Sequence, residues 1–177
     1  MVAKPASCLF GKKLYVILNF LVTILLKEGL EALTEKVKVI CPNCGATNSY
    51  PLGVSEKKVV CGRCKNELPE PGTVIEPLPN QIAHFLQNAS LPVLVDFYSP
   101  TCAPCHMMNP VLENLAQRKA GELMVVKINV DQNPQMAVHF GIQGVPTFLV
   151  LFKGLERGRA SGAMSEADLA LWLASRI

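Results

Sequence analysis

The chain has 177 residues, enough for one well-filled core and a small extra module but not for two large domains. Seventeen basic residues against fourteen acidic ones leave a net charge of only +3, with no long basic run. That balance argues against nucleic acid or a strongly acidic molecule as partner. Half of the residues are hydrophobic and the mean hydropathy is +0.28, with much of the excess in the first thirty residues.

Residues 14–26 form an apolar run broken only by Asn19 and Thr23, with Lys12 and Lys13 before it and Lys27 after it. The run is too short to cross a bilayer comfortably. It has the length of a signal-peptide core, yet no small-residue cleavage site comes after it. Residues 1–36 are therefore read as an apolar extension with two explanations: a membrane anchor through residues 9–26, or a stretch upstream of the true start, with translation beginning near Leu33. Cys8 is expected to be a bystander.

The six other cysteines fall into three C-x-x-C pairs, at 41/44, 61/64 and 102/105. Repeated two-residue spacings suit metal and redox chemistry in a reducing compartment better than a structural disulfide framework. Cys41, Cys44, Cys61 and Cys64 have the spacing of a four-cysteine zinc site, so residues 37–68 are read as a zinc ribbon. Gly45 and Gly62 are expected to supply the backbone freedom of the two knuckles. Four thiolates saturate one zinc ion and leave no position for a substrate, which makes the metal structural. Iron, or two disulfides, are the alternatives. Between the pairs, Tyr50 and the basic pair Lys57-Lys58 give too little for a nucleic-acid surface, and none is expected to bind.

Four prolines in residues 68–79 make a stiff linker holding one short strand, residues 73–76, and open a domain over residues 69–177. Asn80 is placed as the cap of a helix carrying Ile82, Phe85 and Leu86 on one face. Residues 93–98, rich in β-branched and aromatic side chains, read as a strand buried on both faces. After Cys105, the spacing of Met108, Val111, Leu112 and Leu115 predicts a helix with one apolar face, bent at Pro110. Residues 123–130 read as a second buried strand closing a βαβ unit. Asn133-Pro134 reads as a cap and first helical position, residues 136–140 as a short helix and Gly141 as its stop. Residues 147–152 and 158–161 read as an antiparallel pair turning near Gly154. Ser165 and Asp168 resemble a capping box for a last helix with Leu169, Trp172, Leu173 and Ile177 on one side.

The third cysteine pair sits where the buried strand meets the helix. A helix N-terminus stabilises a negative charge, and the thiolate is the reactive form of cysteine, so Cys102 is the expected nucleophile. Pro104 fits the first helical turn, where its missing N–H removes no hydrogen bond. Cys105, one turn inside, is the expected resolving thiol, releasing reduced substrate from the mixed disulfide. Asp96, a carboxylate within an apolar strand, is expected to have a raised pKa and to relay protons to and from Cys105, unless it reaches solvent at a strand edge. His106 is expected to be solvated, and His84 and His139 to lie on helix surfaces.

The run V-D-F-Y-S-P-T-C-A-P-C at residues 95–105 resembles the active-site motif of thioredoxins, and G-V-P-T-F at residues 144–148 resembles their cis-proline segment. Tyr98 and Thr101 stand where tryptophans are usual and Ala103 replaces glycine, which leaves the dithiol intact and alters the surface around it. Together with the four upstream cysteines, residues 37–177 are similar to the zinc-containing bacterial members of the family, the thioredoxin 2 type. The resemblance implies an α/β thioredoxin fold, a central mixed sheet flanked by helices, with an N-terminal four-cysteine zinc ribbon. It implies a redox-active Cys102–Cys105 disulfide, a cis bond before Pro146, and Lys127 in the strand next to Asp96 and able to pair with it. Thr101, Ala103, Pro104, Val145 and Pro146 would form the substrate surface, Val145 offering backbone hydrogen bonds to an extended chain.

The same resemblance implies a cytoplasmic protein-disulfide reductase acting on disulfide-containing proteins and recharged by an NADPH-dependent flavoprotein reductase. Two other readings stand beside it. One is an exported or membrane-anchored oxidant or isomerase, in line with the apolar N-terminus. The other is a zinc-ribbon adaptor whose redox domain has no catalytic role.

Overall fold

The computed structural model describes residues 36–51 and 58–177. The apolar run, the start expected near Leu33, Cys8, Lys57 and the Tyr50 side chain lie outside the described residues. Among those described, no helix is long and apolar enough to cross a membrane.

Strand β4 (Val93–Tyr98) is the centre of the larger unit, and five of its six residues are buried. It pairs in parallel with β5 (Met124–Asn129) and antiparallel with β6 (Thr147–Phe152). One edge is the two-residue β3 (Val74–Ile75), parallel to β5; the other is β7 (Leu155–Ser161), antiparallel to β6, giving the order β3-β5-β4-β6-β7. Helices cover both faces, so the inner strands are apolar on both sides rather than alternating. Val93, Val95 and Phe97 pack with Ile82, Phe85 and Leu86 of α1 (Ile82–Asn88) and with Met136, in α3 (Pro134–His139). Leu94 packs with Val125, Phe148 and Val150 against Met108, Leu112 and Leu115 of α2 (Ala103–Arg118) and Leu169 and Leu173 of α4 (Glu166–Ala174). Because side chains alternate along a strand, Asp96 and its neighbour Lys127 share the α2 face with Leu94 and Val125.

Several local expectations are corrected. Asn80 does not cap α1; a 3₁₀ turn at Pro79–Gln81 leads in, and neither Gln81 nor the turn has a side-chain cap. Asn133 occupies the cap position of α3, but its amide donates back to Asn129 O (2.9 Å) instead of closing the helix end. Strand β7 starts at Leu155, earlier than expected, after a turn with positive φ at Lys153 and Gly154. Helix α2 runs through Pro110 without a break. Ile177 is 44% exposed and does not join the buried side of α4. The Ser165 cap is present, its hydroxyl accepting from Asp168 N at 3.1 Å.

The cysteine ribbon is a hairpin, β1 (Lys36–Ile40) and β2 (Thr47–Pro51), with a second knuckle after it. Each knuckle closes a similar ring: Gly45 N donates to Cys41 O (2.8 Å) and Lys65 N to Cys61 O (3.0 Å). The left-handed residues are Gly45 (φ +69°) and Lys65 (φ +64°), so the freedom expected at Gly62 is needed one turn later, at Lys65. Val39, Cys41, Cys61 and Leu68 form a small core of their own, whereas Ile40, fully buried, packs into the α1 face of the larger unit. At Gly45 a side chain would collide with the His84 ring on α1, a Cβ there overlapping Cδ2 and Nε2. His84 is exposed, as expected, yet it also seats the first knuckle.

Candidate functional site: a dithiol at a helix start and a four-thiol cluster

Cys102 caps α2 and is disulfide-bonded to Cys105. Its sulfur accepts a hydrogen bond from Cys105 N at 3.2 Å, which places a backbone donor and the helix dipole where a thiolate would form on reduction. Cys105 is 2% exposed and Cys102 half-buried, so an incoming disulfide reaches Cys102. Cys102 Sγ also lies 3.6 Å from Val145 O, within reach of a thiol S–H once the bond is reduced. The Val145–Pro146 bond is cis. Thr101, Ala103 and Pro104 are exposed around the dithiol, and Val145, Pro146, Thr147 and Gly162 line a groove beside it. His106 is exposed but tied to the loop, its Nε2 2.8 Å from Pro100 O.

Asp96 is fully buried, and neither carboxylate oxygen has a hydrogen-bond partner. Burial pushes its pKa up to about 7; the Lys127 charge opposes this and the Glu76 charge adds to it. The pairing expected between Lys127 and Asp96 is not made as a contact. The Lys127 ammonium donates to Asn109 Oδ1 (2.8 Å), sits over the Tyr98 ring (4.0 Å to its centroid) and reaches Glu76 Oε1 at 4.0 Å. Tyr98 in turn donates to Glu76 Oε1 at 3.3 Å. Burial raises the Tyr98 pKa, and Glu76 adds to the rise. Sequence reasoning missed Asn109 and Glu76. The one signal for Asn109 was its place four residues after Cys105, one turn along the same helix.

The sulfurs of Cys41, Cys44, Cys61 and Cys64 all lie within 4.8 Å of one another. Cys41 Sγ is 3.6 Å from Cys64 Sγ, and Cys44 Sγ 3.6 Å from Cys61 Sγ. Four sulfurs at ~2.3 Å from a tetrahedral ion stand about 3.8 Å apart, so the donor set fits a single metal and is too open for disulfides. The environment already favours thiolate on one knuckle: backbone N–H groups of Cys64 and Arg63 and the Asn48 amide hold Cys61 down to about 6. Burial pushes Cys41 up to about 12.

The family model described as thioredoxin matches residues 74–175. Thioredoxin C-3 of Corynebacterium nephridii is 33% identical over 138 residues, which cover 76% of this chain and 92% of that protein. A thioredoxin of Haemophilus influenzae is 38% identical over 90 residues, 51% of this chain and 84% of its own length. A mutant thioredoxin from Halobacterium salinarum, known as a solved structure, aligns with TM-score 0.54 and 29% identity over 61% of this chain and 94% of that one. A dithiol at the start of α2, a buried acid on the same face of the sheet and a cis-proline beside the sulfurs are thus found in a chain that belongs to the thioredoxin family of thiol–disulfide oxidoreductases.

Proposed function

We propose that the protein works in the reducing direction, as a protein-disulfide reductase with a structural zinc ribbon. The observation that carries the reading is the asymmetry of the dithiol: Cys102 is accessible and stabilised by Cys105 N, while Cys105 is shielded on the side of the sheet where Asp96 lies unpaired. The Cys102 thiolate attacks one sulfur of a substrate disulfide; the substrate S–S bond breaks, its other sulfur leaves as thiolate, and a mixed disulfide forms. Asp96, with its pKa near neutrality, accepts the Cys105 proton, directly or through a water molecule, as Cys105 attacks Cys102 Sγ. The second substrate thiolate leaves, so the substrate has gained two electrons and the protein holds the Cys102–Cys105 disulfide. Lys127, held by Asn109, sets the field around Asp96.

Val145 presents its backbone to an extended substrate chain, with Pro146, Thr101, Ala103 and Pro104 forming the contact surface. Cys41, Cys44, Cys61 and Cys64 hold one zinc ion, which secures a module, residues 37–68, whose own apolar core is small. The similarity to thioredoxin C-3 covers 76% of the chain, more than the residues of the family model, and so extends upstream of β3 into the cysteine ribbon. Free zinc thiolates fit a reducing compartment, hence the cytoplasm, with an NADPH-dependent flavoprotein reductase restoring the dithiol.

The test is turbidity from insulin reduction by dithiothreitol, with zinc measured in the same sample. The protein is expected to accelerate reduction with one zinc per chain, and Cys102→Ser to fall to the dithiothreitol background with its zinc intact. A zinc-loaded protein giving no acceleration would overturn the reductase reading.

A further inference from the structure

Next to the nucleophile runs a hydrogen-bond chain that neither the motif nor the dithiol chemistry uses. Ser99, the residue after β4, is 7% exposed, and its hydroxyl donates to Asp131 Oδ2 at 2.7 Å. Asp131 is fixed in turn by its own N–H, which donates to Asn129 Oδ1 at 2.9 Å at the end of β5. On its other side Ser99 Oγ receives Thr101 N at 3.4 Å and stands 3.1 Å from Thr101 Oγ1.

The direction of this chain comes from counting protons. A carboxylate only accepts, and each hydroxyl has one proton to give. Ser99 gives its proton to Asp131, so it meets Thr101 as an acceptor. Thr101 then gives its proton to Ser99, and only lone pairs remain on Thr101 Oγ1. Thr101 is exposed and immediately precedes Cys102.

We propose that Asp131 and Ser99 are positioning residues that turn Thr101 into an acceptor-only subsite beside Cys102, selecting disulfide substrates that carry a hydrogen-bond donor, and above all a lysine or arginine, next to the cysteine under attack. The cation is favoured because the exposed Asp131 carboxylate ends the same chain and adds negative potential to the subsite. The inference rests on the dithiol reading and names the substrate chemistry of that site.

Two disulfide-linked peptides, identical except for lysine or leucine beside the cysteine, separate the possibilities when kcat/KM is measured with the full chain. The wild type is expected to prefer the lysine peptide by about fivefold, the size of one net hydrogen bond. Thr101→Ser should keep that ratio and Thr101→Val bring it close to one. Ser99→Ala, which frees the Thr101 hydroxyl to turn its proton outward as a donor, should lower the ratio while circular dichroism stays that of the wild type. A wild-type ratio near one, or a ratio unmoved in Thr101→Val and Ser99→Ala, would overturn the subsite and leave the dithiol reading standing. Failure of the wild type to reduce either peptide would overturn the dithiol reading and the subsite with it.

Discussion

The dithiol and the ribbon use the same spelling, C-x-x-C, for opposite ends. In both, backbone N–H groups point at sulfur: Cys105 N to Cys102 at 3.2 Å, Arg63 N to Cys61 at 3.4 Å. The difference lies in where the chain goes after the second cysteine. Beyond Cys105 it continues as part of a sixteen-residue helix, Ala103–Arg118, which keeps one sulfur at the surface and buries the other. After Cys44 and Cys64 a left-handed residue, Gly45 or Lys65, turns the chain back, and two knuckles bring four sulfurs into one cluster. An isolated pair at a helix start is arranged to exchange with another disulfide, whereas a closed set of four has the donors that would saturate one ion. Spacing alone therefore does not decide the chemistry; the path of the backbone does.

The contrast is broken most sharply at the ribbon. Cys61→Ser is expected to reduce bound metal from one per chain to near zero against a competing chelator and to melt the hairpin, seen as loss of amide protection in residues 36–51. Retention of one ion at wild-type affinity would show that the four thiols do not act together.

Asp96 has no counterpart in the ribbon, and its cost can be read in stability. An acid whose folded pKa is raised, here from 3.8 to about 7, leaves the folded state holding more protons than the unfolded one between those values. Stability is therefore full below about pH 4, falls as pH rises towards 7 and is flat above. Asp96→Asn is expected to raise the unfolding free energy by about 2–4 kcal/mol at pH 8 and by little at pH 4, as measured by urea denaturation at both values.

The contact between the two regions is tested at Gly45, whose φ of +69° strains any side chain and where a Cβ would push the exposed His84 ring aside. Gly45→Ala should cost about 2 kcal/mol, and adding His84→Ala should recover the steric part but not the backbone part. A fully additive pair of substitutions in thermal denaturation would mean that His84 does not meet the knuckle. The smallest effect is expected at Lys127: Lys127→Met removes the charge that holds the Asp96 pKa down, so the acid limb of the exchange-rate profile should move up by about half a pH unit.

What the sequence showed well is what a short stretch determines by itself. Residues 93–98 and 147–152 are strands with the expected limits because each is a short, mostly apolar run rich in β-branched and aromatic residues, which buries best between two layers. The dithiol was legible because a buried strand and an amphipathic helix flank it, and the four-sulfur cluster because two knuckles stand close together in the chain. The start of β7 was not, since its exposed residues give no period to read. Nor was the direction of Lys127, whose choice of Asn109 over Asp96 depends on where α2 lies over the sheet. The seating of Ile40 and Gly45 on the larger unit likewise joins segments far apart in sequence, and no local pattern announces it.

The edges of the five-stranded sheet have a consequence for a family whose business is with other proteins' disulfides. Strand β3 is only two residues long and has Pro77 just after it, while β7 presents exposed Glu156, Arg157 and Arg159 and has a register shift between Val150 and Leu151 of its neighbour. The first edge is too short, and the second too irregular and charged, to offer a regular ladder of free amides and carbonyls to a passing strand. Edges blunted in this way are poor templates for an intermolecular sheet.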